Sequence, residues 1–288
     1  MPNNRCRQRT ASMLVALAAC TAFACAALPA NAQTYGNCAV TGKKGSMPLK
    51  PAIPGQLTVE VSLPAPGWWN GDTPESMKDG YEYCMAANIA WRAGLDKVVV
   101  RNVSWDALIA GQTKDYDLAL SEASITPERA KVVDFSTPYF DSDIGALVKT
   151  SNPVTASNIR TMRIGVHQGT TGETFASNVL KPSTPVKVFP DTSGMFTALA
   201  ANQIDVVLTD TAYSLGQAAN SHGTMKVVGQ YSTGEKYGAI YPKGSSNEAN
   251  LNKIIQAMTD DGTLKMLAQK YLAAAWGQDP TKVPYFKP

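Results

Sequence analysis

Residues 120–140 read LSEASITPERAKVVDFSTPYF. An apolar strand tail ends at Leu120, a polar turn follows, and Thr126-Pro127-Glu128-Arg129 has the composition of a helix start. Thr126 suits the N-cap, and Pro127 suits the first helical position, where a missing N–H costs nothing. Arg129 suits it poorly. A helix N-terminus carries partial positive charge, so a cation there is disfavoured by about 0.3–1 kcal/mol. Arg129 therefore calls for a compensating anion, either a local acid such as Glu128 or Asp134 or one arriving from outside the chain.

Outward from this stretch the pattern alternates between strand and helix. Strands are predicted at 57–63, 97–103, 116–121, 163–167, 186–189 and 204–209. Helices are predicted at 80–94, closed by Gly94, at 104–112 with Ser104 as cap, and at 169–180, 193–203, 212–219 and 247–276. This alternation predicts an α/β protein with parallel sheets covered by helices, two sheets over this length.

The two ends differ from this body. A basic stretch at 5–9 (RCRQR) precedes an apolar run at 13–30, and Ala30-Asn31-Ala32 supplies an A-x-A cleavage site. Residues 1–32 thus read as a secretory signal, with the mature chain beginning at Gln33 and bound for the periplasm. The competing reading is a lipoprotein box at 17–20 (LAAC) with Cys20 lipidated. The apolar run continues well past Cys20, which favours the unlipidated form. Residues 33–56 form an arm rich in Gly, Lys and Pro, and 277–288 form an irregular tail. The arm's Gly36…Lys44 stretch fails as a phosphate loop: the spacing is one residue too long, no strand precedes it and no Ser or Thr follows the lysine.

Arg5, Arg7 and Arg9 are the only charges in the first 32 residues. Without them the 26 basic residues become 23, against 23 acidic ones, so the net charge of +3 vanishes. That balance gives no footprint for nucleic acid or a membrane surface. Three of the five cysteines precede residue 33. Cys38 and Cys84 remain, and two readings stand: a disulfide tying the arm to the first helix, or two unrelated residues with Cys84 buried.

In open α/β sheets ligands gather at the carboxyl ends of strands, where helix N-termini point. Three predicted strands end in polar residues there: Ser121, Glu122 and Ser124 ahead of Arg129; Gly169, Thr170 and Thr171; and Thr209-Asp210. Trp68 and Trp69 sit in a Gly/Pro loop, and Trp105 opens a helix. Each has a plainer reading, the Gly-Thr-Thr and Asp210 as caps and Trp105 as core. Adjacent tryptophans in a loop suggest apolar surface with a partner. Together these residues describe a carboxylate clamp, an ammonium acceptor and aromatic walls, which is amino-acid recognition chemistry.

With SITPERAKVVDFSTPYFDS (124–142), VSWDALIAGQTKDYDLAL (103–120), IGVHQGTTGETF (164–175), IDVVLTD (204–210) and DGTLKMLAQKYL (261–272), the chain resembles the periplasmic solute-binding proteins of polar amino-acid ABC importers. The resemblance spans about residues 57–275. It implies a type II periplasmic binding fold, two α/β lobes with mostly parallel sheets joined by two crossing strands that close like a hinge. The first lobe would comprise 57–146 and 236–288, the second 147–235. Carried over residue by residue, Arg129 binds the ligand carboxylate, with Thr171 and its helix N–H groups holding it from the other lobe. Asp210 takes the ammonium, and Trp68 and Trp105 sandwich the ligand. A guanidinium suits a carboxylate because two parallel N–H groups match its two oxygens.

Glu122 departs from the resemblance, standing where the family has Gly or Ser, as do Ser62, the loop around Trp68 and Trp69, and both arms. The leading expectation is a non-enzymatic, monomeric protein that passes an amino acid to a membrane permease, with no cofactor, metal or catalytic residue. Glu122 has two uses open to it: an internal pair with Arg129 that closes an empty site, or a second acidic contact beside Asp210, where two acids against one arginine favour a cationic ligand. The alternatives are a periplasmic enzyme on the same fold, of the cyclohexadienyl or arogenate dehydratase kind with Glu122 as general acid, and a sensory or accessory subunit with an altered ligand. Only His167 and His222 are present as histidines, and no hydrolase or metalloprotease motif occurs.

Overall fold

A computed structural model describes residues 35–288; the expectations for the signal segment, Cys20 and the new terminus at Gln33 lie outside the described residues. Two five-stranded sheets make two lobes. In the first lobe β1 (Gln56–Val61) leads to α1 (Tyr81–Ala93), β2 (Lys97–Asn102), α2 (Trp105–Ile109) and β3 (Leu118–Ala119). β4 (Asp134–Phe135) closes this stretch, and β5 (Phe140–Lys149) carries the chain across. The second lobe holds β6 (Ile164–His167), α3 (Thr171–Phe175), β7 (Lys187–Phe189), α4 (Thr192–Ala200), β8 (Val206–Asp210) and α5 (Thr211–Asn220). The long β9 (Met225–Tyr237) returns to β10 (Ile240–Tyr241), followed by α6 (Glu248–Asp260), α7 (Thr263–Ala268) and α8 (Ala274–Trp276). Among the described residues no helix is long and apolar enough to cross a membrane.

The sheets are mixed rather than wholly parallel. The order in the first is β2-β1-β3-β10-β4, and in the second β7-β6-β8-β5-β9. β1 pairs in parallel with β2 and β3, and β6 with β7 and β8, as the βα alternation requires. β10 runs antiparallel to β3 and β4, and β5 antiparallel to β8 and β9. The antiparallel partners are the segments entering and leaving the second lobe. Their ladder, from Phe140↔Tyr237 to Lys149↔Met225, forms the two connecting strands.

The helix start expected at Thr126 is smaller than its composition suggests. Thr126 Oγ1 does accept from Arg129 N at 3.2 Å, but only one 3-10 turn, Arg129–Lys131, follows before β4 begins. α1 is buried almost all round, because the arm at 35–56 covers the face opposite the sheet. Asn88 receives Thr41 N at 2.8 Å, Trp91 Nε1 donates to the Gly42 carbonyl at 3.0 Å, and a Cys38–Cys84 disulfide fastens arm to helix. Buried Arg92 pairs with Asp261 at 2.6 Å and with Thr41 Oγ1 at 2.8 Å, joining α1, the arm and the start of α7.

The largest apolar cluster runs from β1 and α1 through Trp68 into Phe196, Tyr213 and Leu215 of the second lobe. Trp68 is wholly buried at its centre. Its ring meets Tyr81, Phe140 and Tyr237 edge-on, with centroids 5.0–5.6 Å apart. Phe140 begins one connecting strand and Tyr237 ends the other, so Trp68 packs where the strands leave the first lobe. The tail crosses as well: Gln230 N donates to the Pro284 carbonyl and Phe286 N to the Gln230 carbonyl, at 2.8 and 2.7 Å.

Candidate functional site

Between the lobes lies a narrow cavity of about 60 Å³. Trp105, Ser121, Glu122, Ser124 and Arg129 line it from the first lobe, and Thr170, Thr171 and Asp210 from the second. Eight of the eleven residues expected at the site thus meet around one space. Gly169 lies just outside. Its φ of +70° and its approach to α2, where an added Cβ would stand 3.0 Å from Ile109, fit glycine there.

Trp68 and Trp69 do not line the cavity. Both are core residues, Trp68 in the aromatic cluster above and Trp69 with Nε1 on the buried Glu82 at 2.8 Å. A Gly/Pro loop signals an exposed segment; here the loop folds inward and roofs α1. Tyr213 of α5 supplies aromatic surface from the second lobe, as Trp105 does from the first.

Arg129 is 8% exposed, with the Trp105 ring 4.9 Å from its guanidinium carbon, a cation–π stack. Nη1 donates to the Ser124 carbonyl at 2.8 Å and Nη2 to the Gly169 carbonyl at 3.0 Å, across the cleft. Neither local acid compensates it. Asp134 instead pairs with Lys243 at 2.7 Å, and among the described residues Arg129 has no carboxylate at ion-pair distance. Two carbonyls leave guanidinium N–H groups over for an anion. Burial draws its pKa down, opposed by the charges of Asp210 and Glu235.

Thr170 caps α3, accepting from Glu173 N at 3.2 Å, while the Glu173 carboxylate accepts from Gly169 N at 2.7 Å. The plain capping role of this loop is therefore real, and it leaves Thr171 directed at the cleft. Thr171 Oγ1 donates to Glu235 Oε2 at 2.7 Å, and Ser124 Oγ donates to the same oxygen at 2.6 Å. Ser121 Oγ accepts from Ser62 N at 3.0 Å. Asp210 ends β8 and stands at the start of α5 without capping it, and its Oδ1 is buried with no partner among the described residues. Burial and the nearby Glu235 push its pKa up to about 7, against the Tyr237 hydroxyl and Arg129.

Glu122 is not paired with Arg129. It sits in the left-handed region at φ +47°, its N–H donates to Glu82 Oε1 at 3.0 Å, and its carboxyl lies against that of Glu82. Burial, then the Glu82 charge, hold its pKa well above the carboxylate range. The left-handed conformation explains why a small residue is at home here: a side chain costs about 1–2 kcal/mol there.

Five residues beyond those expected to hold ligand also border the cavity, two of them, His167 and Thr209, within the quoted motifs. Ser62, His167, Thr192, Thr209 and Tyr213 line the space, and burial holds the His167 ring below its ordinary pKa and so uncharged at neutral pH. Glu82 shares α1 with Asn88 and Arg92, and nothing in its sequence neighbourhood points to the cleft. Glu235 lies in β9, whose YSTGEKYG end has no strand alternation.

The sequence profile of the bacterial extracellular solute-binding proteins, family 3, matches residues 70–274. The L-cystine-binding protein TcyJ of Escherichia coli strain K12 is 29% identical over 208 residues, 70% of this chain and 76% of that protein. An ancestral arginine-binding protein bound to arginine superposes with a TM-score of 0.66 at 30% identity, covering 75% of this chain and 98% of its own. The ancestral amino acid-binding protein AncCDT-1, a precursor of cyclohexadienyl dehydratase, gives 0.65 at 26%, covering 76% and 95%. These likenesses join the two mixed sheets, the paired connecting strands and the interlobe cavity in one assignment: the chain belongs to the bacterial extracellular solute-binding proteins, family 3.

Proposed function

We propose that the protein captures an amino acid with a cationic side chain, or a related amine, between its lobes in the periplasm and delivers it to the permease of an ABC importer. Arg129 carries this reading: a buried guanidinium, stacked on Trp105, held by two carbonyls and paired with no carboxylate among the described residues. A ligand α-carboxylate fills the remaining N–H positions, with the start of α3 at Thr171 facing it. Asp210, with one oxygen unpartnered, takes the α-ammonium. Glu122, whose Oε1 is also unpartnered, meets the far end of the ligand.

Charge favours a cation. Glu82, Glu122, Asp210 and Glu235 stand in or beside the cleft with Arg129 as the one cation among the residues lining it. An uncompensated buried charge is costly, so a ligand bringing positive charge is selected over an acidic one. Relatives named for arginine and histidine binding point the same way. Calorimetric titration with L-arginine, L-glutamine and L-glutamate tests the reading; it predicts binding in that order of affinity.

A catalytic reading draws on one feature, the protonated Glu122 carboxyl facing the cavity, together with the likeness to a dehydratase precursor. It predicts turnover of prephenate or arogenate that Glu122→Gln abolishes. Absence of product from the wild-type protein removes it.

A further inference from the structure

Glu82 lies wholly buried in α1, beneath Glu122, and among the described residues no cation pairs with it. Three neutral donors serve it instead. Oε1 accepts from the Tyr139 hydroxyl and from Glu122 N, and Oε2 from Trp69 Nε1. Each favours the ionised carboxylate. Among the described residues Glu122 has no such donors. Its carboxyl faces Glu82 from α1 and Asp210 from the end of β8, with the hydroxyls of Tyr139, Tyr213 and Tyr237 around it and its Oε1 unpartnered. Arg129 lines the same cavity, and Glu235, Asp106, Glu128 and Glu173 stand beside the cleft. Two carboxyls in contact cannot both ionise at low cost, and the proton settles on the one that lacks donors.

We propose that Glu82 is a specificity-determining positioning residue: by holding a proton on Glu122, it makes capture of a cationic side chain cost that proton, while a neutral side chain is captured without losing it. The inference rests on the cleft being an amino-acid site. A neutral side chain meets Glu122 as a carboxylic acid that can both donate and accept. A cationic one requires the carboxylate, and the proton leaves to the buffer. Glu122 is raised well above the carboxylate range in the empty cleft and returns toward that range beside a cation. Affinity for the cationic ligand therefore rises with pH through that interval, by up to about tenfold per pH unit. Asp210, at about 7, gives up its proton to the buffer when any α-ammonium binds beside it, so its contribution is common to both ligand types and cancels in their difference.

The test is calorimetry of the purified protein at about pH 6 in buffers of different ionisation enthalpy, with L-arginine and L-glutamine as probes. Arginine is expected to release about one proton more than glutamine. Glu82→Gln lowers that excess, because burial without the Glu82 charge holds the Glu122 proton less firmly. Glu122→Gln removes it because the proton is gone, and this variant leaves the α1 core intact should Glu82→Gln misfold. Where arginine alone binds, its proton count in wild type against Glu122→Gln gives the same readout. Equal proton release for both ligands, an arginine count unchanged by Glu122→Gln, or binding of glutamine alone overturns the proposal. Binding of neither probe removes the amino-acid reading itself, and the proposal with it.

Discussion

The Arg129 guanidinium of the first lobe donates to the Gly169 carbonyl of the second at 3.0 Å. The group assigned to the ligand's carboxylate therefore also closes the cleft. Gln168 Nε2 on Asp106 at 3.1 Å and Tyr213 hydroxyl on the Pro64 carbonyl at 2.7 Å cross the same gap, so ligand capture and lobe closure share one surface.

Removing one member of a buried charge pair at a binding site costs about 2–5 kcal/mol. Arg129→Ala is thus expected to weaken ligand binding by about 30-fold or more in calorimetry. Arg129→Lys restores charge but not the two parallel N–H groups or the stack on Trp105, and recovers only part of the loss. Native affinity in Arg129→Ala contradicts the assignment.

The placement of the tryptophans gives a separable pair of outcomes. Trp68→Leu opens the aromatic cluster at the base of the connecting strands and should lower unfolding free energy by about 3 kcal/mol in denaturant titration. Trp105→Ala strips the Arg129 stack and should lower affinity by about tenfold with a smaller loss of stability. The reverse pattern would return Trp68 to the ligand.

The βα alternation was legible because its units are local: a capped helix such as α2 or α4 and a short apolar strand such as β1 or β6 declare themselves in a dozen residues. Ser104 and Gly94 act at the caps where their types predict. The connecting strands β5 and β9 were legible only through the family resemblance. Their residues face both lobes and solvent in turn, so no single period runs through them. Arg129, Asp210 and Thr171 were visible as polar residues at strand ends. Glu82 and Glu235 were not, since their role comes from packing against Glu122 and Ser124, and these contacts join residues 40 and 111 positions apart.

Stability should depend on pH in a direction set by the cleft. Asp210 is raised from 3.8 to about 7 in the folded chain, and Glu82 and Glu122 are raised too. A raised acid stabilises fully below its unfolded pKa, and this contribution is lost as pH rises through the folded value. The ligand-free protein is therefore expected to lose melting temperature from about pH 5 to pH 8. Asp210→Asn should flatten that slope. Asp134, Asp205 and Asp261 are held low by Lys243, Arg163 and the Thr263–Arg92 contacts, and their stabilisation fades only below about pH 4. Scanning calorimetry across this range shows the slope or its absence.

The Cys38–Cys84 bond closes a loop of 46 residues between arm and α1. Constraining the unfolded chain over such a loop is worth about 3–4 kcal/mol. Reduction, or Cys38→Ser, should lower the denaturation midpoint by that order. Ligand affinity should change little, because the arm lies behind α1, away from the cleft. A large affinity loss on reduction would tie the arm to the site.

The most direct test of the central claim is a thermal-shift series on the purified protein with basic, neutral polar and acidic amino acids at equal concentration. A cleft with Arg129 facing Asp210 and Glu122 predicts the largest rise in melting temperature with arginine, lysine or ornithine, less with glutamine and none with glutamate. A rise led by glutamate or aspartate, or no response to any amino acid in the series, would contradict it.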